Sequence, residues 1–489
     1  MSGGALLHRF VRAVIALMVL GTVAVVAEPV GLAGAGGTPL SITTKTLAGA
    51  TIGRAYSASL AATGGSHPYT WNVVATSGKL PLGLTLSGST GVISGTPAGT
   101  AVTSTFTVKV HDNRALRIRD VAKATFTITV GTAMTVFTGA TTVAAGGDHS
   151  CALVLGGTVA CWGDGGGGQL GDGTLAATVS HPVAVLGLAG ATAIAAGWGH
   201  TCALLHDGTV DCWGQNGNGQ LGDGTTDDSS VPVPVKGLTG ATSIVAGWGH
   251  TCALLAAGTV DCWGYDLDGA LGNGSATNSP TPVPVTALKG VTAIAAGTDH
   301  SCAVVAQGAV DCWGYNLDGA LGNGTTVTSS TPVAVSGITG ATAIVGGADH
   351  SCALLATGSV DCWGSNFSGE LGTGTTNDSP TPVGVKGLTG VRAIAAGDYH
   401  TCALTTGGTV DCWGYNAFGQ LGNGTTGDAP SPTAVPGLTG ATAIDAGTGH
   451  SCGLTTAGPV DCWGANGAGE LGDGRTDNSP SPVVVSNMS

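Results

Sequence analysis

Charge is scarce in this chain of 489 residues. Only 9% of residues are charged, and 15 Lys and Arg stand against 29 Asp and Glu. So few cations argue against a nucleic-acid partner, whose phosphates need a dense basic patch. Aromatics make up only 4%. No cysteine precedes Cys151, so no lipid-bearing cysteine stands near the amino terminus. The apolar run from Ala13 to Ala27 has 15 residues, short of the ~20 that a membrane-spanning helix needs. What abounds is glycine, 87 residues, without the period of three that a collagen helix requires. Hydrophobic residues reach 43%, too many for a disordered linker. Abundant Thr and Val with little Glu or Lys point to β structure.

Arg9 and Arg12 precede the apolar run, and small residues follow it. That order describes a secretory signal peptide, with cleavage expected after Ala27 or after Ala35. The mature chain is therefore expected outside the cell or on its surface, with no integral membrane segment.

Internal repetition decides the fold. His149, His200, His250, His300, His350, His400 and His450 recur at intervals of 51 and then 50. Each stands in the same template, G-A-T-A-I-A-A-G-x-x-H-[ST]-C-A-L, G-T-V-D-C-W-G, G-x-L-G-x-G-T and S-P-x-P-V-x-V. Each copy reads as four short strands, represented by Ala191–Ala196, Thr201–Leu205, Thr209–Trp213 and Pro232–Val235. Between the second and third strands every copy has a glycine, Gly208 in the second, as a three-residue hairpin loop with a left-handed position demands. Seven four-stranded units of about 50 residues predict a seven-bladed β-propeller. The first copy lacks a Pro-Val-x-Val segment before it and the last copy ends with one, so Pro482–Val485 is expected to close the ring by pairing with copy one.

The residues Gly197-x-x-His200, Ala203-Leu204, Gly208-Thr209-Val210, Trp213-Gly214-x-Asn216 and Gly219-Gln220-Leu221-Gly222 resemble the regulator of chromosome condensation repeat family. The likeness covers residues 139 to 489 and implies the same seven-bladed propeller. Residues 36–131 differ. Alternating strands and turns such as Tyr56–Leu60, Gly91–Pro97, Thr105–Val110 and Thr125–Val130 resemble the immunoglobulin-like, cadherin-like module of bacterial surface and secreted proteins. A small β-sandwich is implied. Its only acidic residues, Asp112 and Asp120, are too few for a cadherin-type calcium site. Residues 36–131 carry 8 Lys and Arg against 2 Asp, net +6, whereas 132–489 carry 5 against 26 Asp and Glu, net −21. The chain is thus expected to be all-β: residues 1–35 leader and start of the mature chain, 36–131 sandwich, 132–489 propeller.

Every cysteine belongs to a C-x9-C pair: Cys151 with Cys161, Cys202 with Cys212, Cys252 with Cys262, Cys302 with Cys312, Cys352 with Cys362, Cys402 with Cys412 and Cys452 with Cys462. A loop centred on position 207 sets Cys202 opposite Cys212 across adjacent antiparallel strands, where Cβ atoms approach to about 4–5 Å. In an exported protein that arrangement is a disulfide. Zinc sites favour C-x2–4-C spacing, so a metal at His200, Cys202 and Cys212 is the lesser reading. The template histidine is expected to sit in a turn and bond backbone, and the template tryptophans, Trp162 to Trp463, to pack in the core.

Several motifs fail on context. Gly449-His-Ser451-Cys-Gly453 matches a nucleophile elbow, but no helix follows and other copies have Ser or Thr in its place. Gly217-x-Gly219-x-x-Gly222 matches a dinucleotide loop, but a proline-rich strand follows. Asp266-x-Asp268-Gly269 lacks the remaining ligands of a calcium loop. No catalytic residue, metal ligand or cofactor motif repeats coherently, and a non-enzymatic protein without a cofactor is expected.

The loop before each His and the loop after each Trp-Gly share one face of the disc, because strand direction alternates. Those loops vary most between copies and gather aromatics: Trp198, Trp248 and Tyr399 before the histidines, and Tyr265, Tyr315, Phe367, Tyr415 and Phe418 after Trp-Gly. Aromatic anchors suit a protein interface, so these eight are the expected partner-binding residues. Propeller-type beta-lactamase inhibitors, which use the same repeat, are similar in presenting aromatics before the His. That similarity implies a secreted enzyme inhibitor as an alternative. Stacking on cell-wall carbohydrate is another. Nucleotide exchange on a Ran-type GTPase, another activity in the family, conflicts with export.

Overall fold

The computed structural model describes residues 39–51, 56–98, 102–113, 121–131, 134–456 and 458–488. The leader and Asp120 lie outside the described residues. Contacts divide the chain into two units, one ending at Gly131 and the other beginning at Thr132.

The first unit is an immunoglobulin-like sandwich. One sheet has four strands, in the order Ala50–Thr51, Val121–Gly131, Val102–His111 and Thr70–Val73; the other has three, Tyr56–Ser59, Val92–Gly95 and Leu84–Leu86. Long strands form where β-branched and aromatic residues alternate with polar ones: Phe106, Val108 and Val110 of one and Phe126, Ile128 and Val130 of the other share the core with Trp71 and Ile93. The opposite side of the same pair is a ladder of threonines, Thr103–Thr129, Thr105–Thr127 and Thr107–Thr125, hydroxyl to hydroxyl at 3.0–3.2 Å. Asp112 is buried and accepts the Ser66 amide at 3.3 Å, which makes it a loop tie.

The second unit is the propeller, seven sheets of four antiparallel strands each. The second blade shows the plan, with strands Ala191–Ala196, His200–Leu205, Val210–Gly214 and Ser229–Pro234 from the axis outward. Its innermost strand is built of small residues because seven such strands converge on the axis. The hairpin between its middle strands turns at Gly208, φ +79°, with Leu205 N–H on the Thr209 carbonyl at 2.9 Å. That geometry sets Cys202 opposite Cys212.

Every expected bridge is present. Cys151 is disulfide-bonded to Cys161, Cys202 to Cys212, Cys252 to Cys262 and Cys302 to Cys312. Cys352 is bonded to Cys362, Cys402 to Cys412 and Cys452 to Cys462. The Cα atoms of each pair stand 4.0–4.1 Å apart. A bridge closing so short a loop stabilises by roughly 2.5–3 kcal/mol in the chain-entropy account.

The core lies between blades. The bridge, Leu204, Val210, Leu221 and Val235 of blade two pack against Ala253 and Trp263 of blade three. The same layer recurs around the ring, and its last instance joins blade seven to Val143, Ala152 and Trp162 of blade one.

Ring closure differs from the sequence expectation. Ser479–Val484 does not pair with copy one; it is the outer strand of its own blade, with Cys462 opposite Val483 and Asp461 opposite Val484. Each copy carries all four of its strands in order, so the first blade lacks none. A separate ribbon closes the ring: Met134–Val136 pairs antiparallel with Ser486–Met488, and Phe137 N–H donates to the Val485 carbonyl at 3.0 Å.

Candidate partner-binding face

The loops of the face are held by a ring of seven buried histidines. His200 Nε2 lies 2.8 Å from the Thr251 hydroxyl of the next blade. That hydroxyl donates to the Gln220 carbonyl at 3.0 Å, and Trp263 Nε1 donates to the same oxygen at 2.8 Å. With the hydroxyl hydrogen committed, Nε2 must carry the imidazole proton and donate it. His450 to Ser150, at 2.8 Å, closes the ring from blade seven to blade one. The histidine opens the second strand of its blade and is an interblade latch to a side chain, where a turn position with bonding to backbone was expected. A short motif shows its own turn but not the neighbour that the ring brings alongside. Ser451 of the G-x-S-x-G match is one of these latches, bonded to His400 at 2.7 Å.

Burial holds the imidazoles neutral. It lowers His149, His250, His350 and His400 to about 3, and His200, His300 and His450 to about 4. The Nδ1–Cε1 edge lies against the glycine three residues earlier, where a Cβ on Gly197 would stand 2.7 Å from His200 Nδ1 and 2.5 Å from the Gly247 carbonyl. This is the physical reason for G-x-x-H. The tryptophans are buried too, each indole donating to a carbonyl of the preceding blade, as Trp213 does to Gln169 at 2.9 Å.

The long loop after Trp-Gly is organised by one amide. Asn216 Oδ1 accepts Leu221 N–H at 2.9 Å, and its Nδ2 donates to the Thr225 and Asp227 carbonyls at 3.2 and 3.0 Å. Blade three has Asp266 at that place. Its Oδ1 accepts Leu271 N–H at 2.9 Å, its Oδ2 has no partner, and burial pushes the carboxyl up to about 6. Burial likewise pushes Glu370 and Glu470 up to about 7.

The eight aromatics occupy the rim of this framework, and seven of them form two groups. Trp198 and Trp248 lie 6.0 Å apart between ring centroids, with Tyr265 edge-on to Trp248 at 5.7 Å. On blades five and six, Phe367, Tyr399, Tyr415 and Phe418 follow one another at 5.6, 6.4 and 6.1 Å. Tyr315, half-buried on blade four, stands between the groups in blade order. Packing between neighbours does not hide the outer rings: Trp198, Trp248 and Phe367 remain 40%, 38% and 52% exposed, with Leu267 and Leu317 exposed beside them. Between the groups a depression on the axis is lined by loop glycines, Trp198, Trp248, Thr298, Asp398 and Thr448. Among the described residues no cluster of three or more His, Cys, Asp or Glu is arranged to hold a metal, and no helix is long and apolar enough to cross a membrane.

A closed ring of seven frames built on one plan, with loops that vary, is a β-propeller of the kind that serves as a protein-binding scaffold. The chain belongs to the family of the Regulator of chromosome condensation (RCC1) repeat, which matches six blocks between residues 156 and 454; a second description of that repeat matches seven blocks between 140 and 470. Residues 38–131 match the family described as "Putative Ig domain". Among solved structures, yeast RCC1 (Prp20) bound to Kap60 is 22% identical, covering 70% of this chain and 84% of that one, with a TM-score of 0.60. Prp20p from Saccharomyces cerevisiae, described with its binding properties to Gsp1p and histones, is 22% identical over 73% and 88%, at 0.59. Human WBSCR16 is 22% identical over 79% and 99%, at 0.61. The human and mouse E3 ubiquitin-protein ligases HERC2 are 43% identical over 90 residues, 18% of this chain and 2% of theirs.

Proposed function

We propose that this protein is an exported, non-enzymatic scaffold that binds a protein partner through the aromatic face of its propeller. The observation that carries the reading is the division of labour within each repeat. The latch, the bridge and the tryptophan recur in every blade, while the loops beside them differ and expose rings. Exposed aromatic groups of this size are what interfaces use as anchors. Yeast RCC1 (Prp20), a protein of the same fold, is itself found bound to another protein, Kap60. Export is supported by the leader pattern and by fourteen cysteines all paired. The immunoglobulin-like module then serves as spacer or surface anchor.

The test is affinity capture with the mature chain, beside a bait carrying Trp198→Ala, Trp248→Ala and Tyr399→Ala. A partner held by the first and lost from the second places function on this face. An enzyme so captured and inhibited identifies an inhibitor, and loss of binding after glycan digestion identifies an adhesin for carbohydrate. Equal capture by both baits assigns the rings to packing alone and ends the proposal.

A further inference from the structure

The charge of the propeller is one-sided. Loops between the first and second strands and between the third and fourth carry eighteen Asp and Glu, fifteen of them besides the buried Asp266, Glu370 and Glu470, and a single basic residue, Arg475. The loops of the opposite face carry one acid, Asp207, against Lys236, Lys289 and Lys386. The acids share the face with the exposed rings and intermingle with them. The Tyr265 hydroxyl donates to Asp268 at 3.1 Å, and its phenol is raised by burial and then by the charges of Asp299 and Asp268. Asp398 precedes Tyr399 and shares the axial depression with Trp198 and Trp248.

Resting on the reading of this face as the binding face, we propose that its occupant is a cationic, arginine-bearing extended segment of a partner protein. Two independent features select the same chemistry. The π-faces of Trp and Tyr attract a cation, and the neighbouring carboxylates attract it again. A neutral sugar gains nothing from such a field, and an acidic surface is repelled by it. Arginine suits the site better than lysine, because its planar, weakly hydrated guanidinium stacks on a ring while donating in pairs to a carboxylate. The two aromatic groups stand on blades two–three and five–six, on opposite sides of the ring. A segment of several residues reaches both, and a single side chain does not.

The probes are fluorescein-labelled nona-arginine, nona-lysine and nona-glutamate, titrated against the mature chain by fluorescence anisotropy at low and high salt. Nona-arginine is expected to bind more tightly than nona-lysine, nona-glutamate not at all, and salt to weaken both cationic peptides. The pair Trp198→Ala and Trp248→Ala should weaken nona-arginine by about tenfold, and Trp198→Phe with Trp248→Phe should restore most of it. Restoration by Phe excludes misfolding as the cause. Equal affinity for the two cationic peptides with no effect of the tryptophan variants would mean diffuse attraction, and the proposal falls; absence of binding ends it equally. A captured partner that needs the aromatics but is not displaced by nona-arginine overturns this inference and leaves the binding face standing.

Discussion

Replacing Glu370 by Gln should stabilise the protein, and the gain should depend on pH. Equivalent positions in three other blades are Gln169, Gln220 and Gln420, so the frame already accepts the amide. Gln220 and Gln420 accept the amide hydrogen two residues back at 2.9 and 3.1 Å, as Glu370 does from Ser368 at 2.9 Å. What differs is charge. Glu370 is 1% exposed, its Oε1 has no partner, and burial lifts it from 4.5 to about 7. A carboxyl whose pKa is raised by folding supports the fold only while it keeps its proton. Below pH 4.5 both states are neutral and the two proteins differ little. Between pH 4.5 and 7 the unfolded carboxyl gives up its proton while the folded one, in a dry site, keeps it, so stability falls across that window and the loss is complete above it. Raising the carboxyl from 4.5 to about 7, at 1.36 kcal/mol per pH unit, sets the loss at roughly 3 kcal/mol above pH 8. Denaturant unfolding of the oxidised protein from pH 5 to 9, compared with Glu370→Gln, measures the difference. It should open between pH 5 and 7 and then level off. A gain independent of pH, or a variant less stable at pH 8, would refute the reasoning.

Asp266→Asn restores the amide that organises five other loops and should likewise gain roughly 3 kcal/mol once pH exceeds 6, in the same titration. The histidine ring carries the opposite sign: unfolded imidazoles take up protons near 6.5 while the folded ones wait until about 3 or 4, so the ring loses its contribution as pH falls from 6.5. Acid unfolding followed by tryptophan fluorescence should be steep between pH 5 and 3, and a protein unchanged at pH 3 would contradict this neutral ring. Gly197→Ala forces a Cβ against the Gly247 carbonyl and His200 and should cost about 2–4 kcal/mol, read as a lowered denaturation midpoint. Intact mass of oxidised protein should fall 14 hydrogens below the reduced form, two for each of seven bridges.

The fold was readable because repetition multiplies weak signals. One Gly-x-x-His or one hairpin glycine says little, but seven at a fixed period leave few architectures. The bridges were readable for a local reason, since hairpin register depends only on the residues between Cys202 and Cys212. Relations between blades were not readable. The latch from His200 to Thr251 spans 51 positions, and nothing within a single copy pairs that histidine with that hydroxyl. The signal was present as the Ser or Thr that follows every His, and only the ring gives that hydroxyl a donor. Closure by Met134–Val136 escaped because three-residue strands carry no periodicity. The eight aromatics stand out in the sequence against the constant frame, but their grouping does not, since Trp198 and Trp248 sit on different blades that only the ring brings together.

Each blade is one uninterrupted stretch of chain, with its four strands in order and its bridge inside it. A crossover in the gene at any point of the 50-residue period therefore exchanges a whole sector and leaves every neighbour a matching histidine, hydroxyl and indole to engage. Such exchange reshuffles rim loops among descendants without rebuilding the wheel. Chains of this design are suited to diversify by recombination, with a new specificity arriving as a finished wedge.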